Sequence, residues 1–462
     1  MKTYQDLLAV GEDEKKRIEF ALAAISDHQE SEVFKIATDA ELYVRKKNVG
    51  INKAEKFIYT FSGKKLPDEY SANHKCSSNF FGRFTTQQVQ FLLGNGVKFT
   101  KNETKEKLGK DFDVKAQRAA KAALVGGCSF GFMNYDHVEV FAITEFVPLW
   151  DEETGALRAG IRFWQLTVDK PLRFTIYEED GYTDYIRRKD KEAEILNEKR
   201  TYIKTEKTTK FDGTEIVDGK NYKRFPIVPL WANEEKQSEL VGIRGGIDCY
   251  DLIKSGFAND VEDAATFYWT LENCGGMQDK DLAKFINRIR TVKAAVVDGD
   301  DGAKATAHTM EIPYNARETA LARIERDLYA DYMALNVANI SASSVTATQI
   351  EAAYEPLNEK ADAWEYCVID FISGLLDVLG IEDDPSFTRS MIVNQAEEIE
   401  KILTAAEYLN DEFIIRKICY ILGCPDDADE IIRKRDAEET NRFETEADMN
   451  EDGEFDGGGQ SE

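Results

Sequence analysis

The chain has 462 residues, with 59 Lys plus Arg against 86 Asp plus Glu, a formal net charge of −27. That balance argues against a free, tight nucleic-acid binder, which neutralises phosphates with clustered Lys and Arg, while 42% hydrophobic and 11% aromatic residues exclude a wholly disordered chain. Seven scattered cysteines, an odd number, read as free thiols of a reducing cytoplasm.

In chain order, MKTYQDLLAVGEDEKKRIEF carries acids early and has no apolar core, so it does not read as a secretory signal. Residues 1 to about 60 read as helices with polar connections, Ile18, Leu22 and Ile25 marking an apolar face. Within 79–100, Phe80, Phe84, Val89 and Leu92 or Leu93 predict an amphipathic helix stopped by Gly94-Asn95-Gly96. A helix over about 104–125 follows. The pattern then changes to strands, in FGFMNYDHVEVFAIT, GIRFWQLTV, RFTIYEED, YTDYIRR and TYIKTEK, punctuated by Asp-Gly and similar turns. This mixed α/β region ends near Phe225-Pro226-Ile227-Val228-Pro229.

Beyond Pro229 the chain turns helical. Ile243, Ile247, Tyr250, Phe257, Val261, Ala264 and Tyr268 keep helical spacing, with Lys254 in the one missing position. After Pro313 a second helix carries Leu321, Ile324, Leu328, Tyr332 and Leu335. A third, over about 348–379, carries Ile350, Tyr354, Leu357, Ala361, Trp364, Val368, Phe371, Leu375 and Val378 in alternating steps of four and three. Pro356 is its kink site and Gly380 its C-cap. Between the first two helices, 271–312 hold CGG, a short basic helix (DKDLAKFINRIRTVK), an apolar AAVV strand and an Asp-Gly-Asp-Asp-Gly turn. Between the second and third, 336–347 (NVANISASSVTA) carry no charge. A last helical unit runs to about 435. Residues 436–462 then hold eleven acids and one base, net −10, and read as a disordered tail serving either solubility or a basic partner.

Chemistry is sparse. The sequence contains no Walker A, G-x-G-x-x-G, G-x-S-x-G or H-E-x-x-H pattern. Gly126-Gly127-Cys128-Ser129-Phe130-Gly131 lacks the lysine of a phosphate cradle and reads as a turn into a strand. The four histidines form no metal-ligand pair, and Cys419 with Cys424 has no partner cluster for zinc. Asp260, Glu262 and Asp263 read as a solvated or salt-bridged face rather than a Mg²⁺ site. No catalytic, cofactor-binding or metal residue is assigned, and no run approaches a membrane span.

Four stretches, in this order, resemble the portal proteins of tailed bacteriophages of the SPP1 group. The first is Asn79-Phe80-Phe81 through Gln87 with Phe91-Leu92-Leu93-Gly94; the second is Gly126 to Phe130 with Phe146-Val147-Pro148, Asp151 and Ile161-Arg162-Phe163. The third is Phe225 to Leu230 followed by Ile247-Asp248-Cys249-Tyr250-Asp251, Ser255, Asn259-Asp260 and Glu262-Asp263. The fourth is the pair of periodic helices flanking the small-residue loop, with Tyr354 downstream. The family loop often has Ser-Gly before its long helix; here Ser343-Ser344 has no glycine.

The resemblance implies an α+β portal fold, with a mixed α/β wing, a long-helix stem, a small α/β clip and a helical crown, assembled as a usually dodecameric ring at one capsid vertex. It maps wing to 1–238 and 348–395, stem to 239–270 and 313–335, clip to 271–312, tunnel loop to 336–347, crown to 396–436 and tail to 437–462. Double-stranded DNA would pass through the ring without sequence specificity during packaging and ejection. The implied partners are further copies of the chain, the terminase large subunit, a head-completion or adaptor protein, and capsid and scaffolding proteins. The implied location is the virion, after assembly in the host bacterial cytoplasm, with no membrane, no enzyme activity and no cofactor. The tunnel-loop residues are Asn336, Asn339, Ser341, Ser343, Ser344 and Thr346. Lys254 is the candidate channel-lining cation, or else pairs across subunits with Asp251 or Glu262. Lys280, Lys284, Arg288, Arg290 and Lys293 form either a clip docking surface or a solvated helix face. Neighbouring stem helices in a ring would each need one apolar seam. Two other classes remain open, a cytoplasmic acidic scaffold binding basic partners and a nucleic-acid-processing enzyme with an unrecognised site.

Overall fold

A computed structural model describes residues 2–59, 63–68, 71–209, 215–263, 268–272, 304–308, 313–339, 346–390, 395–422, 427–435 and 437. It divides into two units, Met1–Leu335 with Pro356–Ser390, and Asn336–Glu355 with Met391–Glu462. The acidic tail beyond 437 lies outside the described residues.

The first unit opens with four helices, α1 (Tyr4–Val10), α2 (Glu14–Glu30), α3 (Glu32–Val44) and α4 (Val49–Lys53). Side-chain caps start the first three: Thr3 in a capping box with Asp6, then Asp13, then Ser31. After two short paired strands, β1 (Phe57–Tyr59) and β2 (Lys65–Pro67), comes α5 (Phe80–Leu93), as its apolar spacing predicts. The next helix breaks in two, α6 (Asn102–Leu108) and α7 (Phe112–Gly126), with the small strand β3 (Val97–Lys98) before them. Gly109 separates the helices at φ +108, where a Cβ would stand 3.1 Å from the His137 Cα. Only glycine allows that backbone and that approach, so the continuous helix expected over 104–125 does not form.

Gly127, left-handed at φ +88, caps α7 and leads into strands. Two antiparallel sheets follow. One is ordered β13-β4-β5, from β4 (Cys128–Asn134), β5 (His137–Ala142) and β13 (Ile227–Trp231). The other is a meander of β6 (Phe146–Trp150), β7 (Leu157–Trp164), β8 (Leu172–Glu178), β9 (Gly181–Arg187) and β10 (Ala193–Arg200). β11 (Lys204–Thr209) and β12 (Glu215–Lys220) make a separate ladder. Expectation missed β6 because it is buried almost end to end and so shows no alternation, and β10 because it is a charged edge strand.

Packing explains the periodicities. α1 and α2 lay Leu7, Phe20, Ala24 and Ile25 on Val147, Leu149, Ile161 and Phe174 of the meander. Phe130, Phe132, Phe141 and Phe146 cluster between the sheets with Tyr177 and Tyr202. After α8 (Leu240–Asp263) and α9 (Tyr314–Tyr332) comes α10 (Ala347–Leu379), 33 residues and about 50 Å long. Within the first unit, α10 packs Trp364, Val368, Phe371, Leu375 and Val378 on α5, α7 and the β4 sheet. Gly131 of β4 admits it: a Cβ there would lie 2.6 Å from the Phe371 ring. Gly380 caps α10 at φ +68, as expected.

The second unit holds the turn Val337–Asn339, the first turns of α10, α11 (Gln395–Thr404) and α12 (Asp411–Leu422). Ion pairs tie it internally, Lys401 to Glu351 at 3.6 Å, Arg416 to Asp429 at 2.8 Å and Arg435 to Asp411 at 2.6 Å.

Candidate functional surface along the paired helices

α8 begins where the buried Ser238 hydroxyl accepts from the Leu240 N–H and donates to the Val125 carbonyl. It then runs antiparallel to α9. Gly246 permits the crossing, since a Cβ there would meet Leu328 at 2.7 Å. Farther along, Phe257 meets Tyr314 edge-on at 5.6 Å and Arg317 pairs with Asp260. Ile243 and Ile247 are buried with Leu328, Tyr329 and Tyr332 against Tyr43, Phe80 and Phe84. The seam expected between subunits is therefore used, in this half of the helix, within one subunit, because α3, α5 and α9 already cover it.

At α10, Lys360 joins this junction to the rest of the unit. Its ammonium lies 2.6 Å from Glu239 and 3.7 Å from the centre of the Tyr332 ring, both side chains of the ion pair being mostly buried.

The far half of α8 is held by polar contacts. Asp251, Ser255 and Asn259 recur every four residues and are 0%, 2% and 4% exposed. Each accepts a backbone N–H from alternate residues of a segment outside any helix or strand. Ser78 donates to Asp251 Oδ1 (2.8 Å), Cys76 to Ser255 Oγ (2.9 Å) and His74 to Asn259 Oδ1 (2.6 Å). Four helical residues rise about 6 Å and two extended residues about 6.6 Å, so the registers match over three contacts. Asn48 donates to the second Asp251 oxygen and to the Ser78 carbonyl, and the His74 ring meets Glu262. Burial pushes the Asp251 carboxyl above its usual range, and the Asn48 and Ser78 donors pull it back.

α8 ends at Asp263, and Ala264 lies outside the described residues. Tyr268, expected on the same helix, instead opens β14 (Tyr268–Glu272), which pairs antiparallel with β15 (Lys304–His308). The basic residues Lys280, Lys284, Arg288, Arg290 and Lys293 lie outside the described residues, as do Ser341, Ser343 and Ser344. Of the other loop residues, Asn336 Oδ1 accepts from the Ala338 N–H. Asn339 ends the short turn. Thr346 caps α10: its hydroxyl accepts from the Gln349 N–H and its own N–H donates to Gln349 Oε1, a capping box.

Lys254 is exposed, 5.8 Å from the Tyr250 ring centre, with no ion pair to any described residue. Asp251, weighed as its partner in another subunit, is buried and bonded inside its own. Glu262 already meets His74. Among the described residues no group of three or more His, Cys, Asp and Glu could hold a metal ion, and no helix is long and apolar enough to cross a membrane.

A family model described as phage portal protein, SPP1 Gp6-like, matches residues 22–451. The chain is 24% identical over 377 residues to the portal protein of Clostridium phage phiCD119, covering 75% of this chain and 81% of that protein. It is 26% identical over 345 residues to the portal protein of Bacillus phage SPP1, covering 68% of this chain and 64% of that one. Among solved structures, a chain from the neck of a native GTA particle aligns at 11% identity and a TM-score of 0.42, over 81% of this chain and 96% of its own.

Proposed function

The chain belongs to the SPP1 Gp6-like phage portal proteins, and from that premise we propose that it forms a dodecameric ring at one capsid vertex. DNA enters and leaves through the ring, and terminase and then a head-completion protein dock on it. The observation that carries this reading is the family match, whose bounds, residues 22–451, enclose both paired helices, the uncharged loop and the last helical unit. The protein acts as a structural conduit, with ATP hydrolysis left to the terminase, and it resides in the virion after assembly in the host cytoplasm.

Charge supports a conduit. Each cation–phosphate contact adds affinity and salt dependence, which would retard a sliding duplex. The loop 336–347 has no charge, and the chain outside the acidic tail is still −17. In this reading the loop residues Asn336, Asn339, Ser341, Ser343, Ser344 and Thr346 line the constriction, a role their lack of charge supports. The basic run Lys280 to Lys293 serves as the docking face. Negative-stain microscopy of the purified chain tests the reading: rings with a central hole are expected, and monomers persisting at high concentration would overturn it.

A further inference from the structure

A groove of about 500 Å³ lies between α3, α5, α7 and the turn that follows β5. Val44, Val89, Val125 and Ile143 give it an apolar lining, and Val114, which also lines it, is 66% exposed. Three cations, Arg45, Arg118 and Lys121, share the groove with one carboxylate, Glu41. That carboxylate is already engaged: it pairs with Arg45 at 3.6 Å and accepts from the Thr144 hydroxyl at 2.8 Å. Arg118 is exposed and has no ion pair or hydrogen bond to any described residue, while Lys121 spends one donor on the Thr86 hydroxyl at 3.0 Å. In a chain of net charge −27, a net-basic apolar groove suits an acidic peptide that carries an apolar side chain.

The chain itself contains a segment of that chemistry. Residues 438–462, which lie outside the described residues, hold ten acids and one base. Phe443, Met449 and Phe455 recur among them every six residues, each next to an acid. Apolar anchors seated in a pocket carry most of the energy of such contacts, and the exposed ion pairs around them add association rate and orientation. A ring is closed by heterologous contacts, in which one patch of a copy meets a different patch of the next. A basic groove and an acidic segment make such a pair. These 25 residues can span about 80 Å when extended, a length that permits docking on an adjoining copy.

We propose that this groove takes the acidic segment 438–462 of a second copy of the chain. An apolar side chain of the segment sits on Val44, Val89 and Ile143, and its flanking carboxylates meet Arg118 and Lys121. The inference rests on the ring reading for the presence of adjoining copies, and it names a contact that latches one to the next.

The test uses the purified full-length chain carrying the photo-crosslinker p-benzoylphenylalanine at position 114, irradiated and run on a denaturing gel. Covalent dimers are expected, with peptide mapping placing the link within 438–462. Arg118→Glu together with Lys121→Glu should cut the yield about tenfold, and Phe443→Ser, Met449→Ser and Phe455→Ser combined should do the same. High salt should lower it several-fold. The same crosslinker at position 168, where Val168 is 93% exposed and outside the groove, is the control and should give no link to 438–462. Negative-stain microscopy of the same sample separates the two readings. Rings without dimers linked through 438–462 overturn the inference and leave the ring standing, whereas dimers so linked in a sample without rings do the reverse. A link formed only within one chain, a link to another segment, or equal yields at positions 114 and 168 would overturn the inference.

Discussion

Asp251→Ala removes the acceptor at the head of the polar ladder along α8. The Ser78 N–H, 2.8 Å from one carboxylate oxygen, and the Asn48 amide on the other both lose their acceptor in a site that excludes water. An unsatisfied buried donor costs about 1–3 kcal/mol. Relief from burying a charge recovers part of that, so the net loss should be about 2–4 kcal/mol. Asp251→Asn keeps an oxygen for Ser78 but sets an NH₂ against the Asn48 NH₂. Asn48 Oδ1 has no partner at present, so an amide flip would accommodate the change, trading away the bond to the Ser78 carbonyl for a cost of about 1 kcal/mol. Urea denaturation at fixed subunit concentration reads both losses. Leu252→Ala, next in sequence and 60% exposed, is the control and should fall within about 0.5 kcal/mol of wild type. If Asp251→Ala cost no more than that control, the ladder would be incidental to stability and the reasoning wrong. pH gives a second readout. Asp251 sits above its usual 3.8 in the fold, so its contribution is greatest below that value and declines as pH rises through the raised one. Asp251→Asn removes that slope.

His28 has the opposite sign. It is buried, its Nε2 is 2.8 Å from the Ile143 carbonyl, its Nδ1 is unpaired, and burial lowers its pKa. Its contribution is complete above the ordinary value of 6.5 and is lost as pH falls through and below it, and His28→Gln should flatten thermal stability over that window. Gly160→Ala would place a Cβ 2.0 Å from the Phe146 ring and should cost about 1–3 kcal/mol by overpacking, measured by urea midpoint. Leu375→Ala opens a cavity beneath α10, where Leu375 is fully buried, and should cost about 2–5 kcal/mol in the same assay.

The candidate surface was only partly readable before folding. The helix carrying Ile243 and Ile247 was evident, and so was the exposed Lys254 in the gap of its apolar face. Asp251, Ser255 and Asn259 figured among the residues that carry the family resemblance, and neither their four-residue step nor its purpose was read from the sequence. Their partner, 74–78, has no periodicity of its own and lies far away in sequence. The extension of α8 to Tyr268 failed because helical spacing continued past the point where the chain enters a strand ladder with Lys304–His308, and a spacing rule cannot see a cross-strand partner.

For α10, 33 residues long, periodicity sufficed: one face of a helix either faces the core or does not, and from Leu357 to Val378 every apolar position named in advance is nearly or fully buried. Composition likewise located the acidic end and the uncharged loop, which depend on no contact. Which surface each apolar seam meets, where Gly109 breaks a helix, and how Val44, Val89 and Ile143 come to line one groove depend on groups distant along the chain. Such contacts carry no local pattern, so they become legible only once the backbone has brought those groups within a few ångströms of each other.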